Sequence, residues 1–214
     1  MPKYKHVIWD WNGTLLDDAK LCCKIIGDLA VRNGLPAVTF EQYLNVFTFP
    51  VREYYGALGF PTDNGEFERL GKIFIEEYER KKFEAKLHEG ARETIENLRE
   101  KGIGQSVLSA YSIDKLNEIL RYFGLADFFD EIAGLDNIYA EGKILIGKKL
   151  IEKLGLRNKE AVLVGDTLHD AEVAESIGAD VVLISHGHQH EARLKKSGYP
   201  VVASFDELKE IILQ

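Results

Sequence analysis

Asp10-Trp11-Asn12-Gly13-Thr14 and, far downstream, Gly165-Asp166-Thr167-Leu168-His169-Asp170 decide the reading of this chain. Each stretch follows a run of apolar β-formers, Tyr4 to Trp9 before the first and Ala161 to Val164 before the second. In an open parallel α/β sheet, ligands bind outside the carboxyl ends of the strands. Two such strands would deliver Asp10, Asp166 and Asp170 to one pocket. Gathered carboxylates raise one another's pKa unless a cation sits among them. An all-oxygen donor set suits a hard cation, and Mg²⁺ is commonly held by one or two carboxylates together with substrate phosphate. The spacing therefore points to a magnesium site for phosphate chemistry, with one irregularity at Asn12.

Outward from these motifs, strand and helix alternate. The pattern predicts a helix from Gly90 to Lys101, a strand from Gly104 to Leu108 and a helix from Ile113 to Phe123. A short strand near Glu131 to Ala133, a helix from Ile144 to Leu154 and the strand Ala161 to Val164 come next. A helix over Leu168 to Ile177, a strand over Asp180 to Ile184, a His-rich loop, a short strand at Val201-Val202 and a helix over Phe205 to Ile212 complete the chain. Such alternation implies a doubly wound parallel sheet. From Asp17 to about Phe83 the pattern is instead helical. One helix runs from Asp17 to Asn33 and closes at Gly34; Thr39 with Gln42 makes a capping box for a second, and Asp63 with Glu66 opens a long third. Gly59-Phe60-Pro61 breaks the helices between. The expected organisation is a Rossmann-like α/β core of 1–16 and 86–214 with an inserted α-helical cap domain at 17–85.

Composition excludes several alternatives. Of 214 residues, 27 are Lys or Arg and 35 are Asp or Glu, a formal charge of −8. That balance argues against nucleic acid or an anionic membrane as the main partner. A hydrophobic share of 45% is enough for a substantial core. The only cysteines, Cys22 and Cys23, are adjacent in a helical pattern, which suggests buried thiols in a reducing compartment and no disulfide framework. The first strand begins almost at the amino terminus, so no signal peptide is expected, and no apolar run approaches membrane-spanning length. A cytoplasmic protein is the expectation; oligomeric state is not legible.

The whole arrangement resembles the haloacid dehalogenase superfamily, and its phosphoglycolate phosphatase-like branch in particular, over nearly the full chain. The family's first motif, Asp-x-Asp-Gly-Thr, reads here Asp10-Trp11-Asn12-Gly13-Thr14; its second, a Ser or Thr closing a strand, is matched by Ser109. The fourth, Gly-Asp-x-x-x-Asp, is matched by Gly165, Asp166 and Asp170. The third is a Lys near a helix start. The usual Lys-Pro pair is absent, and in Glu141-Gly142-Lys143-Ile144-Leu145-Ile146-Gly147-Lys148-Lys149 the residue placed at the expected helix start is Lys143 rather than Lys148 or Lys149.

The resemblance implies an Mg²⁺-dependent phosphatase acting on a small phosphorylated metabolite under a closing cap. Asp10 would attack phosphorus to give an aspartyl-phosphate. Asp10, the backbone carbonyl of Asn12 and Asp166 would bind the metal, with Asp170 reaching it through water or orienting Asp166. Thr14, Ser109 and Lys143 would hold the phosphate oxygens.

Asn12 departs from this pattern. The family's Asp there protonates the leaving oxygen and later deprotonates the attacking water, and an amide can carry no proton between those steps. Positioned acid–base catalysis is worth about 10²–10⁴-fold. Several explanations stand open. The substrate has a good leaving group, such as an acyl or enol phosphate; His169 or a cap residue supplies the proton; Asn12-Gly13 deamidates; or the protein is a phosphate-binding or regulatory protein with little turnover. A mutase would need the missing acid–base group most.

The remaining candidates have ordinary readings beside the functional ones. His186, His188 and His190 alternate as zinc ligands can, but a polar loop, one that could also line the pocket or meet the cap, is the simpler expectation. Arg52, after Phe47-Thr48-Phe49-Pro50-Val51, could grip a substrate carboxylate or be a surface Arg. Trp9 is expected in the core, and Trp11 at the pocket entrance near the cap.

Overall fold

A computed structural model describes residues 3–135 and 142–214 of the chain. Its centre is β1, His6–Trp9, buried along its whole length. Beyond it lie β2 (Leu16–Asp17), β3 (Lys86–Leu87), β4 (Gly104–Ser112), β5 (Glu131–Leu135), β6 (Ala161–Gly165), β7 (Asp180–Ile184) and β8 (Val201–Val202). Six of these form a sheet in the order β5-β4-β1-β6-β7-β8, and each neighbouring pair runs parallel. Strand order reverses about β1, with β4 and β5 on one side and β6 to β8 on the other.

The side-chain period of two explains why this sheet needs helices on both faces. Val7 and Trp9 of β1, Val162 and Val164 of β6, and Val182 and Ile184 of β7 enter one cluster. The intervening Ile8, Leu163, Val181 and Leu183 enter another on the opposite face. The first face is covered by the helices Ala91–Glu100, Ile113–Tyr122 and Phe205–Ile212. Gly142–Leu154, Leu168–Ile177 and the short Glu191–Lys195 cover the second.

The helical insertion leaves and rejoins the core through β2 and β3, which pair antiparallel with Leu16 opposite Leu87 and Asp17 opposite Lys86. Between them stand the helices Ala19–Arg32, Phe40–Val46, Val51–Ala57 and Glu66–Lys81. Cys22, Ile25, Ile26 and Leu29 recur at helical spacing on the first of these and pack with Tyr43, Tyr54, Tyr55, Leu70 and Tyr78 in a separate cluster. The capping box at Thr39 and Gln42 forms as expected.

Several local expectations are corrected. The first cap helix begins at Ala19 rather than Asp17 because Leu16–Asp17 is used as a strand. Val51–Ala57 and Glu191–Lys195 are helices too short to show a strong period in the sequence. The long cap helix starts after Gly65, whose φ of 80° places it in the left-handed region, and not at Asp63. Trp11 does not wall the pocket. The turn folds back so that the amides of Leu15 and Leu16 donate to the Trp11 carbonyl, each at 3.0 Å, and the buried indole packs on Phe123.

Because Leu163 is fully buried on a central strand, Leu163→Ala should cost about 2–5 kcal/mol of stability. A urea unfolding midpoint reads this directly; a loss below about 1 kcal/mol would contradict a sheet packed on both faces.

Candidate active site

The carboxyl ends of β1 and β6 lie side by side, Trp9 opposite Val164. Asp10, the next residue, donates its amide to the Val164 carbonyl at 2.9 Å. Asp166 follows β6, and Asp170 lies in the first turn of Leu168–Ile177. Oxygens of Asp10, Asp166 and Asp170 lie within 4.8 Å of one another, and all three residues are buried.

Lys143, in the first turn of Gly142–Leu154, reaches this cluster. Its Nζ donates to Asp10 Oδ1 at 2.5 Å and to Asp170 Oδ1 at 2.7 Å. Glu141, which precedes it in the sequence motif, lies outside the described residues. Thr14 Oγ1 lies 3.2 Å from Asp10 Oδ2 and 3.1 Å from Asp166 Oδ1. The amide and hydroxyl of Thr167 donate to Asp170 Oδ2 at 3.0 and 2.7 Å. Ser109 is buried two positions past Val107, itself opposite Trp9. Its Oγ accepts the Tyr111 amide at 3.1 Å.

Close backbone approach also shapes the cup. A Cβ added at Gly187 would lie 2.1 Å from Asp166 Oδ2, and one at Gly13, whose φ is +75°, would lie 2.4 Å from the same atom. The main chain on both sides of Asp166 is therefore pressed against its carboxylate, and the His188 amide donates to Asp166 Oδ2 at 2.5 Å.

A second buried carboxylate, not anticipated from the sequence, stands behind the first cluster. Asp18 Oδ1 accepts the Gly13 amide at 2.9 Å and lies 3.2 Å from His188 Nε2. Its Oδ2 accepts Asn12 Nδ2 and the Tyr78 hydroxyl, both at 2.7 Å. His188 Nδ1 pairs with the Tyr43 hydroxyl at 2.6 Å, and its ring lies 5.0 Å from that of Phe47. The alternating histidines thus separate. His188 joins the site to the cap, while His186 stacks on His88 at 3.7 Å and points Nε2 at the Thr14 carbonyl. His190 caps Glu191–Lys195. Among the described residues these three share no metal position; Asp18, Cys22 and His188 do cluster, but the donors named above already occupy the Asp18 oxygens.

Other candidates lie apart. Arg52 is exposed, donating to Glu68 Oε1 at 2.7 Å and to the Thr62 carbonyl, with its guanidinium over the Phe67 ring. The cap residue facing the fourth motif is instead Phe49, 4.8 Å from the His169 ring. His169 Nδ1 is 3.1 Å from Glu172 Oε2.

Burial sets the electrostatics. It pushes Asp10 up to about 6 and Asp166 to about 7, against the relief given by Lys143 and His188 respectively. Burial would raise Asp170 too, but Lys143 holds it below the usual carboxylate range. For Lys143 burial opposes charge, yet Asp10 and Asp170 hold the ammonium above its ordinary value. His188 is likewise lowered by burial, but Asp18, Asp166 and Asp10 together raise it to about 9. Four buried carboxylates face one ammonium and one imidazolium, a deficit of two positive charges that one divalent cation would fill. Hydrogen bonds of the turn use the carbonyls of Trp11 and Leu16 and not that of Asn12. An oxygen-only set of this kind fits Mg²⁺.

The sheet order and this cup define a hydrolase class. The signature of the haloacid dehalogenase-like hydrolase family matches residues 7–184, and the chain belongs to that family. Among its relatives, phosphoglycolate phosphatase of Vibrio parahaemolyticus is 26% identical over 227 residues, covering 97% of this chain and 96% of the relative. Tyrosine-protein kinase PtkA of Mycobacterium tuberculosis is 26% identical over 212 residues, covering 96% of this chain and 72% of the relative. The solved structure of PtkA superposes with a TM-score of 0.82 at 24% identity, over 98% of each chain.

The raised carboxyls give a signed pH dependence. With folded pKa values above the unfolded 3.8, the ion-free fold holds extra protons and loses their stabilisation as pH rises through about 6 to 7. A cation must displace those protons, so its binding strengthens across the same window. Buried His88 and His186, both lowered by burial, pull the ion-free stability the other way. The Mg²⁺-induced rise in melting temperature isolates the carboxylates. It should grow from pH 5 to pH 8; an equal rise at both would contradict the assignment.

Proposed function

We propose that this chain is an Mg²⁺-dependent phosphatase acting on a small phosphorylated metabolite through an aspartyl-phosphate on Asp10, in the manner of a phosphoglycolate phosphatase. The observation that carries the reading is Lys143 held against Asp10 and Asp170 beside a carboxylate group suited to a hard cation. A nucleophilic carboxylate attacking a phosphate dianion must overcome charge repulsion, and a fixed ammonium lowers that cost.

In this reading Asp10 forms the bond to phosphorus, while Lys143, Thr14 and Ser109 hold the phosphate oxygens. Asp166 and Asp170, with the Asn12 carbonyl, hold Mg²⁺, which when bound supplies further charge neutralisation. The helical cap at 17–85 covers the cup through Phe47, Phe49 and Tyr43, restricting water and favouring small substrates. Two free thiols, Cys22 and Cys23, suit a cytoplasmic setting. No helix of the described residues is long and apolar enough to cross a membrane.

Hydrolysis is preferred to transfer because relatives named phosphoglycolate phosphatase and pyrophosphatase accompany PtkA among the matches. Release of inorganic phosphate from a panel of phosphate esters, acyl phosphates and diphosphates with Mg²⁺ tests this. Wild type should turn over at least one member, and Asp10→Asn should abolish that turnover. Phosphate binding without turnover of any member would instead favour a phosphate-binding or regulatory protein.

A further inference from the structure

The unusual residue of the cup is Asn12, and its side chain is fixed at both amide hydrogens. Nδ2 lies 2.7 Å from Asp18 Oδ2 and 2.6 Å from the Tyr78 hydroxyl. A carboxylate only accepts, so the end of the amide facing Asp18 must be the NH₂ group. Tyr78 gives its own proton to Asp18 Oδ2 at 2.7 Å, which leaves an oxygen lone pair for the second hydrogen of Asn12. Only Oδ1 is left, and it is an acceptor.

The imidazole beside it is committed at both nitrogens. His188 uses Nε2 on Asp18 and Nδ1 on Tyr43. Lys143 turns two of its three N–H groups to Asp10 and Asp170, on the side of the attacking carboxylate. The side chain at position 12, where the family carries its acid, therefore has an acceptor left over and no hydrogen to give.

Resting on the phosphatase reading, we infer that this site takes phosphates whose leaving oxygen departs as a stable anion: acyl phosphates, aryl phosphates and diphosphates rather than alkyl phosphates. In the first step an Asp10 Oδ–P bond forms as the P–O bond to the leaving group breaks, and the bonding pair departs on the aryloxide, carboxylate or phosphate without a proton. In the second, water attacks phosphorus, the P–O bond to Asp10 breaks and the carboxylate is regenerated. Both water protons end on the released phosphate, with Asn12 Oδ1 able to orient the water but not to deprotonate it.

The test is kcat/KM with Mg²⁺ across substituted phenyl phosphates, from 4-nitrophenyl to 4-methylphenyl, followed by benzyl phosphate and acetyl phosphate. This ratio reports the barrier through phosphorylation of Asp10. Activity should fall steadily as the leaving oxygen becomes more basic, with benzyl phosphate at least about 10²-fold below 4-nitrophenyl phosphate, the low end of what a positioned acid supplies. A flat series in an active enzyme overturns the inference and leaves the phosphatase reading intact. No turnover of any member, acetyl phosphate included, overturns both. A paired exchange, Asn12→Asp with Asp18→Asn, restores a carboxyl at position 12 without setting two carboxylates 2.7 Å apart. It should flatten the series by raising benzyl phosphate turnover most. The wild-type series decides the question even should that variant fail to fold.

Discussion

The site depends on Lys143 lying between Asp10 and Asp170 with all three buried. Removing several carboxylates from water is costly unless opposite charge accompanies them. One ammonium meets part of that demand and leaves the remainder to be met by a cation. The fold brings this about by topology. Asp10 and Asp166 end adjacent parallel strands, Asp170 enters from the first turn of the following helix, and Lys143 begins the helix packed beside it. These placements turn three motifs far apart in the sequence into one electrostatic unit.

Asp18 is the centre of a second unit, linking the turn after β1 to the cap. It binds the Gly13 amide and the Asn12 side chain on the core side, and Tyr78 of the cap. His188 extends the link to Tyr43 and Phe47 while its amide touches Asp166. Burial would raise the Asp18 carboxyl, but charged His188 and these donors hold it below the usual range. Asn12 is therefore part of a structural network as well as a departure in the first motif. Its amide supplies a donor where a carboxylate would have met Asp18 with like charge.

Much of this was legible in the sequence. Long-period features survived translation into structure: β-runs ending in Asp10 and Asp166, helices at Leu168–Ile177 and Phe205–Ile212, and the helical insertion after the first strand. The helix-start position singles out Lys143 from Lys148 and Lys149 in the sequence, and Lys143 reaches Asp10. Asp18 was hidden because Asp17-Asp18 reads as a polar pair at a helix start, and only the β2–β3 pairing turns one outward and the other inward. Tyr43 and Tyr78 look like amphipathic helix positions, since nothing local marks which hydroxyl meets the core. Trp11 departs from strand alternation because the chain folds back into a turn directly after β1.

On the phosphatase reading, Asp10, Asp166 and Asp170 would share one cation balanced by Lys143. Titrating Mn²⁺ as a paramagnetic stand-in for Mg²⁺, followed by electron paramagnetic resonance, measures this without requiring turnover. One tight site per chain is expected, displaced by Mg²⁺ and weakened strongly in Asp166→Asn. Unaltered Mn²⁺ affinity in a folded Asp166→Asn chain would contradict the account.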